Sequence, residues 1–230
     1  MKNLKLSTKL KRILIVLLLL IFAFLAYVEI ANRNSINMTY RQKFLKTVYP
    51  AWMLFTRFAG INAKNFSGNK APAISFYSLN STLNNGDTLY FENLKGKKIL
   101  LVNTASDCGY TSQFDELQKL SGKFKDKLVI IGFPANDFKE QEKGNDAAIA
   151  EFCKINYGVT FPLMQKSTVI KSPHQNAVFK WLTDAAQNGW NNKMPSWNFA
   201  KYLVNEKGEL SNYFDPSVSP LSPAVIKAIE

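Results

Sequence analysis

The sequence predicts an α/β fold, a sandwich on a mixed central sheet, preceded by an N-terminal transmembrane helix. Three observations predict it. Apolar runs of strand length alternate with segments of helical period between residues 98 and 156. Two later apolar runs flank a short polar turn, so part of the sheet is antiparallel. A charge-free apolar run stands behind a basic N-terminus.

Residues 1–12 form a basic cytoplasmic segment carrying Lys2, Lys5, Lys9, Lys11 and Arg12. The apolar run follows over residues 13–28 (ILIVLLLLIFAFLAYV) and reaches residue 31 if Glu29 sits at the interface. A span needs ~20 residues, and Lys11 and Arg12 can snorkel to lengthen this one. Tyr27 suits the outer interface. The run reads as an uncleaved signal anchor. A cleaved signal peptide and a buried core helix are the rivals. Cleavage needs small residues at −3 and −1, yet Phe24 precedes Ala26 and Glu29 precedes Ala31 at that spacing. Five Lys/Arg before the run against four soon after it (Arg33, Arg41, Lys43, Lys46) put the N-terminus inside. The expected protein is single-pass, with its main domain on the extracytoplasmic, periplasmic side.

Residues 32–70 form a basic amphipathic juxtamembrane segment and linker. Within residues 40–62, Phe44, Val48, Trp52, Phe55 and Ala59 recur at helical spacing, with Arg41, Lys43, Lys46 and Arg57 between them. Pro50 starts a second helix or kinks one. Arg57 argues against a second span. The segment either lies on the membrane surface or docks on the main domain as helix or spacer. Residues 67–72 (SGNKAP) read as the linker into that domain, residues 71–230.

Residues 76–79 and 88–91 read as short strands around the turn at 84–87 (NNGD). Residues 98–103 (KILLVN) form a buried strand. Phe114, Leu117, Leu120 and Phe124 mark a helix over 111–124. A second buried strand covers 128–133, and helices follow over 146–156 and 178–187. A terminal hairpin pairs 202–205 with 210–214, and a helix closes the chain over 223–230.

The net charge of +12 sits in the appendage. Residues 1–70 hold twelve Lys/Arg against one acid, and all four arginines precede residue 58. The remaining domain is nearly neutral and has no Arg to fork a phosphate, so nucleic acid is not an expected partner. Two cysteines exclude a disulfide scaffold, and with one histidine they make a metal site unexpected.

Cys108 lies where the 98–103 strand gives way to the next helix. Carboxyl ends of parallel strands are where α/β sheets place ligands, and a helix N-terminus lowers a thiol pKa. The alternative is a buried structural cysteine. Asp107 and Gly109 flank it in a polar loop, which argues against burial.

Four spaced motifs then appear in order: VNTASDCGYT over 102–111, GFPANDF over 132–138 with QEKG over 141–144, YGVTFP over 157–162, and WNF over 197–199. With them, residues 74–230 resemble a glutathione peroxidase of the non-selenium, cysteine type. The resemblance implies a thioredoxin-like three-layer sandwich and a peroxidase of oxidative-stress defence. Cys108 would be the peroxidatic residue, reducing hydrogen peroxide or organic and lipid hydroperoxides through a sulfenic acid. Gln141, Trp197 and Asn198 match the other catalytic positions, with Gly109, Thr111 and Asn136 in supporting loops. Without the resemblance, Trp197 is as readily a core aromatic and Gln141 a solvated loop residue. Cys153, 45 positions after Cys108, matches the resolving cysteine of thioredoxin-dependent members. A fixed disulfide and an inert buried thiol remain its alternatives. No cofactor or metal is implied. The partners implied are a peroxide, a thioredoxin-like protein or glutathione, and the membrane through 13–31 and 40–62, around a monomer.

The chain departs from the pattern in two places. Ala135-Asn136-Asp137 stand where the family usually has Cys then Asn-Gln, and Lys139-Glu140 replace the usual Gly-Gly before Gln141. Glu140, Asp137 and Asp107 are expected to raise the Cys108 pKa, with Lys139 and Lys143 opposing them. The absence of Arg from the domain favours a protein dithiol over glutathione. His174 reads as a structural residue at a helix start. Two other classes compete: a membrane-anchored thiol–disulfide oxidoreductase, which wants C-x-x-C where Thr111 stands, and a non-catalytic thioredoxin-like interaction domain. A copper-handling variant of the latter has only His174 as imidazole ligand.

Overall fold

The computed structural model describes residues 7–58 and 64–230. Lys2 and Lys5 of the basic segment, and residues 59–62 of the amphipathic stretch, lie outside the described residues. Helix α1, Thr8–Ala31, starts at Ser7, whose hydroxyl accepts Leu10 N–H at 3.3 Å. It is long and apolar enough to cross a membrane, a length and composition that also fit a signal sequence. Its apolar side chains are almost all exposed.

Helix α2, Tyr40–Phe58, runs through Pro50 rather than starting there. It packs back on the end of α1. Phe24 and Phe44 meet edge to face at 5.9 Å. Glu29, expected at the interface, pairs with Lys43 at 2.7 Å.

The linker region holds a strand. β1, Asn65–Ser67, pairs antiparallel with Asn212–Phe214 at the sheet edge, so the sheet begins ahead of residue 71. A 3-10 turn, Phe76–Ser78, stands where a strand is expected. Its Phe76 stacks on Phe91 at 4.8 Å and packs against Trp181, which turns the chain inward. β2, Asn80–Thr82, and β3, Thr88–Tyr90, form the small hairpin.

β4, Lys98–Thr104, pairs parallel with β5, Leu128–Pro134, across α3, Gln113–Lys123. α4, Asp146–Tyr157, starts at Asn145, which accepts Ala148 N–H at 2.9 Å, and stops at left-handed Gly158. The helix expected over 178–187 breaks into α5, Ala177–Leu182, and α6, Ala185–Asn188, because Asp184 caps a new turn. β6, Lys201–Val204, and β7, Leu210–Phe214, make the hairpin, and α7, Pro223–Ile229, closes the fold.

The main sheet runs β1-β7-β6-β4-β5, with β4 and β5 parallel and the other pairs antiparallel. Side chains alternate across it. Leu100 and Val102 of β4 face the apolar cluster with α3, α4 and α7, whereas Ile99 and Leu101 face the one with α5. The result is the three-layer sandwich with a mixed sheet, and it aims the carboxyl ends of β4 and β5 at one edge.

Candidate active site

β4 ends in a loop that carries Cys108. Thr111 Oγ1 ties that loop down: it accepts Cys108 N–H at 3.0 Å and lies 2.9 Å from Ala105 O and 2.8 Å from Cys108 O. Thr111 therefore occupies the position of a second cysteine with a structural hydroxyl. Cys108 Sγ accepts Tyr110 N–H at 3.4 Å. Contrary to the expectation from its polar flanks, Cys108 is 1% exposed, because α2 lies over the loop.

Burial pushes the Cys108 thiol up; the Tyr110 N–H, the Trp197 and Asn198 side chains and the Arg41 charge pull it back. The acids expected to act on it are engaged elsewhere. Asp107 is paired with Arg41. Asp137 accepts Val169 N–H at 2.7 Å. Glu140 lies 3.9 Å from Lys143. The charge balance at the sulfur is thus set by burial and by an arginine from outside the domain.

A second loop, after β5, is stitched to the first. Asp107 N–H donates to Gln141 O at 3.0 Å. Asn136 Oδ1 accepts Glu142 N–H at 2.8 Å. Glu142, fully buried, accepts Ser106 N–H at 2.9 Å and the Ser106 hydroxyl. Burial raises its pKa to about 7 against the pull of those bonds. Lys139 and Glu140 stand at φ 53° and 51°, the left-handed region that Gly-Gly would occupy without strain.

The third segment crosses both loops. Asn103 Nδ2 donates to Trp197 O at 3.0 Å and its Oδ1 accepts Ala200 N–H at 2.9 Å. Asn198 Nδ2 donates to Gln141 Oε1 at 3.0 Å, while its buried Oδ1 has no partner. The Trp197 ring meets Phe138 at 5.7 Å and is half-buried rather than a core aromatic. Cys108, Gln141, Trp197 and Asn198 thus converge at one edge of the sheet, and Gly109, Thr111 and Asn136 frame them.

Cys153 stays inside α4, 0% exposed, in the same apolar cluster as Cys108. Both thiols are free. Burial and then the Glu142 charge drive the Cys153 thiol well above its ordinary value. Among the described residues no group of three or more His, Cys, Asp or Glu could hold a metal. His174 is exposed and the α5 cap is Asn176, so the helix-start role falls to a neighbour.

Sequence reasoning missed Glu142 and which loop α2 docks against. Gln42 Nε2 donates to Ser106 O at 2.9 Å, and Arg41 Nη1 to Asp107 O at 2.8 Å. Lys46 Nζ donates to Asn156 O at 3.0 Å, and Tyr49 OH to Glu116 at 3.1 Å. This stretch docks on the main domain, as one of its two readings expects. The signal was its amphipathic spacing, which told of a buried face but not of what covers it.

The glutathione peroxidase family model matches residues 76–183. The glutathione peroxidase homolog BsaA of Staphylococcus aureus is 48% identical over 139 residues, 60% of this chain and 87% of the relative. The glutathione peroxidase-like peroxiredoxin 2 of Saccharomyces cerevisiae is 43% identical over 149 residues, 64% and 91% of the two chains. The crystal structure of Trgpx in apo form is 29% identical at a TM-score of 0.53, over 68% of this chain and 96% of that one. Both relatives extend over nearly their whole length, on a shared thioredoxin-like fold, so the chain belongs to the glutathione peroxidase family and is a thiol peroxidase.

Proposed function

We propose that Cys108 is the peroxidatic residue and Cys153 the resolving one. The convergence of Cys108 with Gln141, Trp197 and Asn198, linked through the 3.0 Å Asn198–Gln141 bond, carries this reading. The Cys108 thiolate attacks one peroxide oxygen of ROOH. An S–O bond forms, the O–O bond breaks, and the leaving oxygen takes a proton to become ROH or water; sulfur is oxidised to sulfenic acid. The Trp197 and Asn198 N–H groups stabilise the thiolate and the departing oxygen. The unpartnered Asn198 Oδ1 is an acceptor for the peroxide proton.

The Cys153 thiolate then displaces hydroxide from the sulfenic sulfur, which leaves as water, and an S–S bond forms. This requires α4 to loosen, since bridged Cα atoms lie within about 7 Å. An external dithiol resets the disulfide by two exchanges. A thioredoxin-like protein suits this chain better than glutathione, because residues 71–230 carry no Arg to fork glutathione's carboxylates and Arg41, which reaches the site from α2, is held by Asp107. The enzyme acts as a monomer, anchored by residues 13–31, with residues 71–230 on the extracytoplasmic side; no cofactor is required.

The test is peroxide consumption by the full chain in lipid nanodiscs, with thioredoxin and glutathione as separate reductants. Cys108→Ser is expected to abolish turnover. Cys153→Ser is expected to keep a single sulfenic-acid-forming event and lose thioredoxin-driven turnover. Undiminished turnover in Cys153→Ser removes the resolving role, and turnover surviving Cys108→Ser removes the peroxidatic one.

A further inference from the structure

The docked helix α2 leaves a cleft against the Cys108 loop. Val48, Trp52 and Phe55 form one wall, and Gly109, Tyr110 and Trp197 the other. Its volume is about 590 Å³, inside the range of small-molecule sites. The lining is almost wholly apolar. Yet the cleft opens beside the two residues that follow Cys108 and beside Trp197. A small, fully hydrated peroxide needs no such wall.

From this geometry we infer that the cleft is a subsite for the alkyl chain of a long-chain organic hydroperoxide. The inference rests on the peroxidase reading. Three observations select this occupant. The cleft is lined by Gly109 and Tyr110, the two residues after Cys108, and by Trp197, so a chain lying in it brings its hydroperoxide end to the Cys108 loop. The outer wall is not part of the family domain: it is supplied by α2, which follows α1, the helix fit to cross a membrane. And Trp52 and Phe55 are 48% and 58% exposed, so the wall extends apolar surface outward rather than sealing itself. An acyl chain leaving a bilayer can therefore stay in apolar contact up to the site. Each methylene moved from water into such a wall adds to transition-state binding only for long-chain substrates.

The test uses the full chain in lipid nanodiscs with hydrogen peroxide, tert-butyl hydroperoxide and linoleic acid hydroperoxide. In the Trp52→Ala/Phe55→Ala variant, the ratio of kcat/KM for the long-chain substrate to that for hydrogen peroxide is expected to fall about tenfold. Leu54→Ala, exposed on the same helix but outside the cleft, controls for loss of helix surface. A second readout does not need turnover: a fatty acid with a terminal diazirine is photolysed, and crosslinks are expected on residues 48–55 or on Tyr110. An unchanged ratio, crosslinks confined to α1, or a variant that alters only the KM for the dithiol would overturn the inference. The last outcome would make the cleft a reductant dock. If hydrogen peroxide itself is not consumed, the peroxidase reading fails, and the crosslinks still decide whether the cleft takes an alkyl chain.

Discussion

Arg41 on α2 forms an ion pair with Asp107, the residue immediately before Cys108. Residues 71–230 have no arginine, and the appendage supplies one to the Cys108 loop. The guanidinium also donates to Asp107 O at 2.8 Å, which fixes it beside the sulfur.

Arg41→Gln is therefore expected to raise the Cys108 pKa, by losing one of the influences that offset burial. Both partners are about half exposed, 52% and 44%, so solvent screens the pair. The effect on the oxidation rate at neutral pH should be about two- to threefold. The pH profile of Cys108 alkylation measures it directly. The difference from wild type should shrink in high salt; a difference that persists there would mean Arg41 acts by packing.

Lys139 and Glu140 give a stability prediction. Left-handed backbone costs a non-glycine residue ~1 kcal/mol, partly offset because glycine frees the unfolded chain. Lys139→Gly/Glu140→Gly should gain on the order of 1 kcal/mol and raise Tm by a few degrees. A lower Tm would mean that the Glu140 contact with Lys143, or the Lys139 ammonium 5.7 Å from the Trp197 ring centroid, outweighs the strain.

These cases show where the sequence was legible. β4, β5, α3 and α4 were readable because continuous apolar runs and helical periods are local signals. So was the Cys108 loop, because a strand-to-helix junction is local too. The Phe76–Ser78 turn was not, since its direction is set by Phe91 and Trp181, far along the chain. β1 was not, because three residues in a polar stretch become a strand only when β7 offers an edge. The burial of Cys108 was not, because the covering helix comes from a segment whose docking face carries no label. Glu142 was hidden for the same reason: its environment is made by Ser106, 36 positions earlier.

Glu142 makes stability depend on pH. Its folded pKa is raised to about 7 from 4.5, so the folded state holds a proton that the unfolded chain releases. Stability from this group is fully present below about pH 4.5 and falls as pH rises to about 7. The shift corresponds to a loss on the order of 3 kcal/mol across that window. Glu142→Gln cannot titrate and keeps the hydrogen bond from Ser106 N–H to its amide oxygen. Denaturant midpoints should fall between pH 5 and 7 in the wild type and stay flat in the variant. Parallel curves would mean that Glu142 is already ionised at low pH.

Asn156 tests the motion that the two-cysteine cycle demands. It lies on the same last turns of α4 as Cys153, and its side chain exchanges two hydrogen bonds with Ile36, N–H to Oδ1 at 3.0 Å and Nδ2–H to O at 2.9 Å. Lys46 holds its carbonyl at 3.0 Å and lies over the Tyr157 ring. The appendage thus clamps the helix that the proposed cycle would open. Asn156→Ala removes both Ile36 bonds, worth about 1 kcal/mol each, so local opening of α4 becomes about tenfold or more frequent. Single-turnover experiments should then show peroxide consumed at the wild-type rate, while the Cys108 sulfenic acid, trapped with dimedone, decays faster. Slower peroxide consumption with unchanged decay would place the clamp's effect on the Cys108 loop instead. Unchanged rates for both steps would mean that α4 opens without releasing Asn156.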